Sequence, residues 1–262
     1  MGLTKRKIIL PLVFLLVILS LLRVLKVAIS SSPFSSTRLV LNTVVPPTIR
    51  LKPIRDTVLT QKEIQFLYDI ILQKSPCNLL VFGLEEQYLK LPTVNGGGST
   101  VFLEDRPEKL KKTKGGANGK WVYRVEYKTY AKNAYKLLKH ARSHSSCYPH
   151  SGITTIVSKC KLALTELPED VLKTKWDVIV VDGPDGDGPE SPGRMGSIFM
   201  AGALARAGNR TNVVVHDVDR MIEKWFSWEF LCEENLVSSK GRFWNFRIPR
   251  KINNHSSKFC SV

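Results

Sequence analysis

Three short apolar runs constrain the fold of this 262-residue chain more than any other feature of its sequence. They read NLLVF from residue 78, DVIVV from residue 177 and NVVV from residue 212, and none of them alternates apolar with polar residues. A strand with water on one face alternates, whereas a parallel strand covered on both faces does not. Helical patterns separate most of the predicted strands, so the sequence predicts a doubly wound, mostly parallel α/β sheet.

The predicted elements begin with a helix after Thr60, where Thr60 and Glu63 have the spacing of a capping box. The six predicted strands cover residues 78–82, 100–103, 121–127, 176–181, 212–215 and 243–248. Predicted helices cover residues 131–141, 195–207 and 220–234. No internal repeat is visible, and the 43% apolar composition supplies material for one core.

The domain organisation follows from the N-terminal composition. Basic residues 5–7 precede an uncharged stretch that ends at residue 22 and lengthens to residue 29 if Arg23 and Lys26 reach the interface. We expect residues 1–29 to be an uncleaved type II signal anchor, with a cleaved signal peptide as the alternative. Residues 30–56, rich in Ser, Thr and Pro, predict a stem, and residues 57–262 a lumenal domain.

The five cysteines show no spacing typical of zinc sites. In an oxidising lumen they predict one or two disulfides with one thiol left over. Glycosylation sequons at Asn209 and Asn254 also suit a lumenal domain.

Positive charge is concentrated in one segment of the chain. The formal net charge is +16, and residues 106–142 hold twelve Lys or Arg against Glu108 and Glu126, interleaved with Tyr and Trp. This basic strip is either a solvated face or a site for a polyanion, which would be nucleic acid or an acidic polysaccharide. A lumenal domain meets no nucleic acid.

The ends of the first two predicted strands offer candidate cofactor residues. Gly83 follows the first strand, where it lets a ligand approach the backbone or simply makes the turn. Glu104, chosen over its neighbour Asp105, ends the second strand, where a carboxylate accepts hydrogen bonds from ribose hydroxyls; a plain surface carboxylate is the alternative. The glycine-rich dinucleotide motif and the P-loop lysine are both missing, which disfavours nicotinamide and P-loop enzymes.

The fourth predicted strand is followed by Asp182, and the fifth by His216 and Asp217. Neighbouring parallel strands bring the residues at their carboxyl ends to one rim. Carboxylates gathered there repel each other unless a cation or a proton separates them. The sequence therefore predicts either a divalent metal at Asp182 and Asp217, or a carboxylate or His216 as general base. The alternative is that Asp182 only caps backbone amides.

The loop after Asp182, GPDGDGPESPGRM, has the composition of a calcium loop without its register. Its prolines predict a stiff lip at the site. Arg194 stands where the next helix begins, and an arginine there can grip a ligand carboxylate in bidentate fashion. A salt bridge between Arg194 and Glu190 is the alternative.

Several motifs together resemble one known family. They are CNLLVFGL, GGGSTVFLEDRPEKL, CKLALTELP, WDVIVVDGPDGDGPESPGRM, VHDVDR and EKWFSWEFLCEENLVSSKG. They are similar to the plant glucuronoxylan 4-O-methyltransferases, whose family also contains irregular-xylem-15 type proteins and arabinogalactan glucuronic acid methyltransferases. The resemblance runs from about Thr60 to the C-terminus.

The resemblance implies a Rossmann-like fold that binds S-adenosylmethionine, in a protein anchored in the Golgi membrane. It implies methyl transfer to O4 of glucuronic acid side chains on xylan, assisted by a divalent cation. The cofactor would contact Gly83, Glu104 and Asp105. The acceptor hydroxyl would lie among Asp182, His216 and Asp217, and the sugar would meet Arg194 and Glu190.

One segment departs from methyltransferases at large. Where a glycine-rich first motif is common, this chain has GLEEQYLKL, with Glu85 and Glu86 in place of small residues. Two other hypotheses stay open, and the missing glycine-rich motif bears on the second of them. One is the same reaction on arabinogalactan glucuronic acid, and the other is a non-catalytic scaffold that has lost methyl transfer.

Overall fold

The computed structural model describes residue 18 and residues 58–113, 120–250 and 258–260. The chain divides into two compact units, Met1–Ile54 and Arg55–Val262. Apart from Ile18, the predicted anchor and stem lie outside the described residues. Within the described residues, no helix is both long enough and apolar enough to cross a membrane.

A seven-stranded sheet forms the centre of the second unit. Its strands are β1 Leu79–Phe82, β2 Thr100–Glu104, β3 Lys120–Arg124, β4 Val178–Val181, β5 Arg210–Val215, β6 Leu236–Lys240 and β7 Phe243–Pro249. In space they run in the order β3-β2-β1-β4-β5-β7-β6, with β1 to β5 parallel and β7 antiparallel to both neighbours. This confirms the predicted doubly wound, mostly parallel sheet.

The α-helices alternate with the strands along most of the chain. They are α1 Gln61–Leu72, α2 Leu91–Val94, α3 Pro107–Thr113, α4 Ala134–Ser143, α5 Ile153–Lys159, α6 Glu169–Lys173, α7 Met195–Ala207 and α8 Met221–Leu231. A parallel strand pair needs such a crossover, because its second strand must start at the same end of the sheet as the first.

Both faces of the sheet are buried, which explains the lack of alternation in the strands. Leu80, Phe82 and Val181 belong to one core, together with side chains of α4, α5, α7 and α8. Leu79 and Val180 belong to the other, together with side chains of α1. Every residue of β1 and β4 is buried, so polar side chains occur only where these strands end.

Several elements differ from the prediction, which lacked the short helices α2, α3, α5 and α6. β3 ends at Arg124 instead of continuing to residue 127, and β6 was not predicted. Four of the five β6 side chains are exposed, since this strand forms an edge of the sheet. A strand without a buried face carries no apolar alternation, so its sequence gives no strand signal.

The cysteines form two disulfides, Cys147–Cys160 and Cys232–Cys260. Cys77 is free and buried. The predicted count of one or two disulfides with one thiol left over is therefore confirmed.

The predicted capping box is present at the start of α1. The Thr60 hydroxyl accepts from the Glu63 backbone N–H at 3.3 Å, and Glu63 Oε2 accepts from the Thr60 backbone N–H at 2.9 Å. Glu63 Oε1 also accepts from the Arg242 backbone N–H at 2.8 Å, in the turn between β6 and β7. The glutamate that caps α1 therefore also holds the last hairpin of the sheet.

Gly241 in that turn has φ +56°, and a Cβ atom there would overlap the Glu63 carboxylate. We expect Gly241→Ala to lower the free energy of unfolding by more than about 1 kcal/mol, through both backbone strain and displacement of Glu63. The measurement is urea unfolding followed by circular dichroism.

Gly97→Ala is the matched control, since Gly97 has φ +90° but open space around its Cβ position. It should show the backbone cost alone. Equal losses in the two variants would mean that contact with Glu63 is unimportant.

Candidate functional site

The candidate site lies where the strand order reverses between β1 and β4. The loops after these two strands touch: a Cβ atom on Gly83 would lie 2.9 Å from the Asp182 carbonyl oxygen, and one on Gly183 would lie 2.7 Å from Gly83 Cα. Gly83 also has φ +99°. The close approach of the backbones explains why Gly83 is glycine, and it brings the strand ends together at the place where α/β sheets bind ligands.

A cavity of about 320 Å³ opens at this edge of the sheet. Its walls carry mainly charged side chains, including Glu85, Asp182, Asp185, Asp217, Arg220 and Arg242. Three predicted site residues from two strand ends, Asp182, His216 and Asp217, all line it. The structure thus brings the predicted catalytic group together.

Asp182 is 8% exposed and accepts hydrogen bonds on both oxygens. Tyr88 Oη donates to Oδ2 at 2.6 Å, His216 Nδ1 donates to Oδ1 at 2.8 Å, and Arg194 Nη2 lies 3.0 Å from Oδ1. Burial alone would raise the pKa of Asp182, but Arg194 and the bonds from His216 and Tyr88 outweigh burial and lower it to about 2. Asp182 is therefore a carboxylate at every physiological pH.

Arg194 stands between the two aspartates. Its Nη2 lies 3.0 Å from Asp182 Oδ1 and 2.8 Å from Asp217 Oδ2. Its Nε donates to the Pro184 carbonyl at 3.2 Å and its Nη1 to the His216 carbonyl at 3.0 Å. Only 5% of Arg194 is exposed, so this guanidinium holds the two strand ends together.

The predicted substrate role of Arg194 does not fit this geometry, because its donors already meet acceptors of the protein. The alternative bridge to Glu190 is not formed either: Glu190 is exposed and pairs with Lys132 at 2.7 Å. The predicted pair Arg194 and Glu190 is therefore not assembled at one place. Arg194 does stand at the start of α7, as predicted.

Two other arginines face the cavity. Arg220 pairs with the Asp217 Oδ2 atom, and Arg242 Nη1 lies 2.7 Å from Asp217 Oδ1. Their side chains are 27% and 33% exposed, in contrast to 6% for Arg194. They are the cavity arginines that a ligand can reach.

His216 lines the cavity, but its Nε2 atom is buried. Its Nδ1 donates to Asp182, while its Nε2 is buried without a hydrogen-bond partner among the described residues and lies 3.8 Å from Glu63 Oε1. Phe243 packs against the ring at 4.5 Å. An acceptor hydroxyl in the cavity cannot reach Nε2, so the geometry favours a carboxylate over His216 as the base.

A divalent metal was predicted at Asp182 and Asp217. Ligand atoms of Asp182, His216 and Asp217 lie within 4.8 Å of one another, which suits a cation. However, Arg194 bridges the two carboxylates, and Arg220 and Arg242 also pair with Asp217. In this arrangement guanidinium groups already neutralise the carboxylates, so the site does not fit a metal.

Glu104 lies at the end of β2, as the cofactor hypothesis requires, and only 1% of it is exposed. Its Oε2 accepts from the Leu84 backbone N–H at 2.7 Å, and its Oε1 accepts from the Arg106 backbone N–H at 3.0 Å. Arg106 also pairs with Glu85 at 3.1 Å and Asp185 at 3.2 Å. The Arg106 and Lys109 side chains therefore cover the Glu104 carboxylate.

Asp105 follows Glu104 directly. Burial and the adjacent Glu104, through both a hydrogen bond and charge repulsion, raise the pKa of Asp105 to about 6. Two carboxyl groups side by side can accept hydrogen bonds from a diol, and the protonated one can donate to it. Gly83, Glu104 and Asp105, the predicted cofactor residues, do not line the cavity at Asp182.

Sequence reasoning missed three residues of this site. Tyr88 is fully buried and donates to Asp182, but it lies in a short 3-10 helix within GLEEQYLKL, where no pattern marked it as a site residue. Arg220 follows VHDVD closely enough that its place beside Asp217 could have been predicted. Arg242 comes from the unpredicted β6–β7 hairpin, so nothing in the sequence indicated it.

These features define an α/β protein with a charged ligand site at the switch point of its sheet. The family model described as IRX15/IRX15L/GXM matches residues 62–246. The chain belongs to this family, as the sequence motifs indicated.

Curated relatives from Arabidopsis thaliana agree with this assignment. Arabinogalactan O-methyltransferase 2 is 39% identical over 206 residues, which cover 76% of this chain and 71% of the relative. Glucuronoxylan 4-O-methyltransferase 2 is 38% identical over 204 residues, covering 77% and 69%. Protein IRREGULAR XYLEM 15 is 38% identical over 206 residues, covering 76% and 63%.

Among solved structures, a methyltransferase-like protein from Silicibacter pomeroyi matches with a TM-score of 0.37 and 14% identity. The match covers 74% of this chain and 88% of that protein.

Replacing Arg194 tests the role of the buried charge bridge. Arg194→Met leaves Asp182 and Asp217 buried without their shared partner, so we expect a loss of about 3–5 kcal/mol in the free energy of unfolding at pH 7. The loss should be smaller at pH 5, because a carboxylate of the variant then takes up a proton, whereas Asp182 of the native protein, with its pKa near 2, stays ionised.

Urea unfolding at both pH values measures this effect. Lys128→Met is the control, since Lys128 forms an exposed ion pair with Glu166 and should change stability little at either pH. A loss for Arg194→Met that is small, or independent of pH, would contradict the bridge.

Proposed function

We propose that this protein transfers a methyl group from S-adenosylmethionine to a glucuronic acid hydroxyl of an acidic plant polysaccharide. The observation that carries the proposal is the ionised Asp182 at the switch-point cavity, in a chain that belongs to the IRX15/IRX15L/GXM family. Relatives named as methyltransferases of glucuronoxylan and of arabinogalactan support the reaction.

Gly83, Glu104 and Asp105 are the residues proposed to hold the cofactor. When bound, S-adenosylmethionine supplies the methyl group as an electrophilic carbon on a sulfonium. The Glu104 carboxylate would accept hydrogen bonds from the ribose hydroxyls in place of Arg106, which accounts for a buried carboxylate at this strand end.

Asp182 is proposed to receive the proton of the acceptor hydroxyl. A carboxylate has about four acceptor positions, and the three donors Tyr88, His216 and Arg194 leave one for the hydroxyl. A pKa near 2 makes Asp182 a weak base. It still suffices, because the acceptor oxygen becomes positively charged as the new bond forms and its proton is then strongly acidic.

Arg220 and Arg242 are proposed to bind the uronate carboxylate, in place of Arg194. Both line the cavity and are partly exposed, and both flank Asp217. Arginine suits this task because its planar donors match a carboxylate. The uronate would thereby be placed beside Asp182, and such alignment supplies much of the catalysis in a group transfer.

The basic strip is proposed to attract the acidic polymer. The Ala131 and Lys132 backbone N–H groups donate to the Ser191 and Pro189 carbonyls at 2.9 Å, so the strip is attached to the lip of the site. Lys136 and Lys139 of α4 are exposed there. The 114–119 part of the strip lies outside the described residues.

Glucuronoxylan, methylated at O4, is our proposed acceptor, and arabinogalactan is the second candidate. Relatives named for the two polymers match this chain equally well, at 38% and 39% identity. Incubation with labelled S-adenosylmethionine and each unmethylated polymer separately distinguishes them.

We propose that the protein acts in the Golgi lumen, attached through residues 1–29. Two disulfides in the described residues support an oxidising compartment. Protease added outside intact vesicles should leave the domain whole; digestion of the domain would mean the opposite orientation.

A non-catalytic scaffold is a second candidate function, and one observation favours it. Arg106 and Lys109 pair with Glu85 and reach the Glu104 carboxylate, so cations cover the proposed ribose site. Calorimetric titration with S-adenosylmethionine decides between the two functions, because a scaffold would not bind it.

Asp182→Asn tests the mechanism directly. The amide keeps nearly the same shape but cannot accept the proton, so we expect a folded protein that binds S-adenosylmethionine with a kcat lowered about a hundredfold or more. Asp217→Asn should also lower kcat, and the two losses should not add, since both residues share Arg194.

Asp219→Asn is the control, because Asp219 is an exposed aspartate at the same cavity and should keep normal turnover. A folded Asp182→Asn protein with near-normal kcat would remove Asp182 from the mechanism.

The basic strip is tested with the double variant Lys136→Glu, Lys139→Glu. We expect the double variant to raise the KM for the polymer more than the KM for a short acidic oligosaccharide, because only the polymer extends to the strip. The effect should fade as salt rises, since exposed charges are screened over about 8 Å at physiological ionic strength. Lys173→Glu, at an exposed lysine of α6, is the control; equal effects on polymer and oligosaccharide would exclude the strip.

A further inference from the structure

Three tryptophans form a partly exposed surface on α8 and β7, which we call the aromatic ridge: Trp225, Trp228 and Trp244. Trp225 is 44% exposed. Trp228 is its neighbour on the helix surface, three residues on. The Trp228 and Trp244 rings pack with centroids 4.3 Å apart. The ridge belongs neither to the cavity nor to the basic strip.

Core packing accounts for only part of the ridge, since Trp228 and Trp244 pack against the core but stay partly exposed. The aromatic residues of α8 that serve the core, Phe226 and Phe230, are buried at 0% and 2% exposure. Trp225 instead presents much of its indole to solvent, and Met221, one turn earlier, is 63% exposed. Adjacent large apolar side chains at the surface are a common mark of a ligand site.

Positive charge borders the ridge. Lys224 Nζ lies 5.9 Å from the centre of the Trp244 ring. Trp228 is one wall of a second cavity of about 360 Å³, whose other walls include Lys258, Phe259 and the ion pair of Arg142 with Glu229. Indole surfaces and cations thus occur together here, on the side of the domain that α8 covers.

We propose that the aromatic ridge binds neutral sugar rings of the same polysaccharide chain whose glucuronic acid enters the cavity. A pyranose ring has an apolar face of C–H groups and a rim of hydroxyls, so it packs on an indole while its rim stays hydrated. Lys224, Lys258 and Arg142 would meet further uronates of that chain. The inference rests on the proposed function and adds an acceptor subsite to it.

The position of α8 supports a continuous track. The helix begins immediately after Arg220, which lines the cavity. At 1.5 Å per residue, Trp228 lies about 12 Å along the helix from Arg220. A polymer held at the cavity therefore reaches the ridge within a few sugar units, whereas free glucuronic acid does not.

The test is calorimetric binding to the full-length chain in detergent. The probes are neutral xylo-oligosaccharides, neutral galacto-oligosaccharides and free glucuronic acid. We expect Trp225→Ala to weaken binding of the preferred oligosaccharide about tenfold, a usual loss for an exposed tryptophan anchor. Binding of glucuronic acid should not change. Trp225→Phe, which keeps an aromatic face, should restore most of the affinity.

Leu72→Ala is the control, since Leu72 is 56% exposed at the end of α1. Unchanged oligosaccharide affinity in Trp225→Ala, or no binding of either neutral oligosaccharide by the native chain, would overturn the inference. Self-association that Trp225→Ala abolishes, without an effect on saccharide, would also overturn it.

Methyl transfer is measured separately with labelled cofactor, so that the two proposals can fail independently. If the chain binds oligosaccharide through Trp225 but transfers no methyl group, the ridge proposal is supported and the proposed function is contradicted. A chain that methylates polymer equally well with and without Trp225 loses the ridge alone.

Discussion

The bridge that Arg194 makes between Asp182 and Asp217 is the interaction on which the site depends. Two buried carboxylates at neighbouring strand ends would repel each other, and the guanidinium placed between them removes that repulsion. It also lets Asp182 remain ionised in a buried place. The arginine that sequence reasoning assigned to substrate therefore keeps the proposed base charged, and we propose the more exposed Arg220 and Arg242 for the ligand.

The bridge is in turn held by elements far from it in sequence. Tyr88, after β1, and His216, after β5, donate to Asp182 from two sides. Glu63, the capping residue of α1, lies behind His216 and holds the turn that carries Arg242. These polar groups therefore connect the ends of β4 and β5 with the segment after β1, with α1 and with the last hairpin.

The sheet and the charged residues at its rim could be predicted, because apolar runs indicate burial on both faces, and Asp182 and His216-Asp217 follow such runs. The roles of the charged residues could not, since a sequence does not show which carboxylate an arginine will meet. Arg194 lies twelve positions after Asp182, yet it pairs both with Asp182 and with Asp217, which follows another strand. Arg242 lies in the turn of a hairpin whose first strand carries no apolar pattern, and Tyr88 lies in a short 3-10 helix without helical periodicity in its sequence.

The contact between Glu63 and Arg242 joins residues 179 positions apart. Glu63 is synthesised early and Arg242 near the end of synthesis. A growing chain that already contains the first four strands therefore still lacks Arg242 at the cavity and the hairpin that packs on His216. Contacts of such long sequence separation form late, because closing a long loop must precede the gain. The cavity at the switch point is therefore completed by the last hairpin, and a chain truncated before Arg242 would lack one of the cations that pair with Asp217.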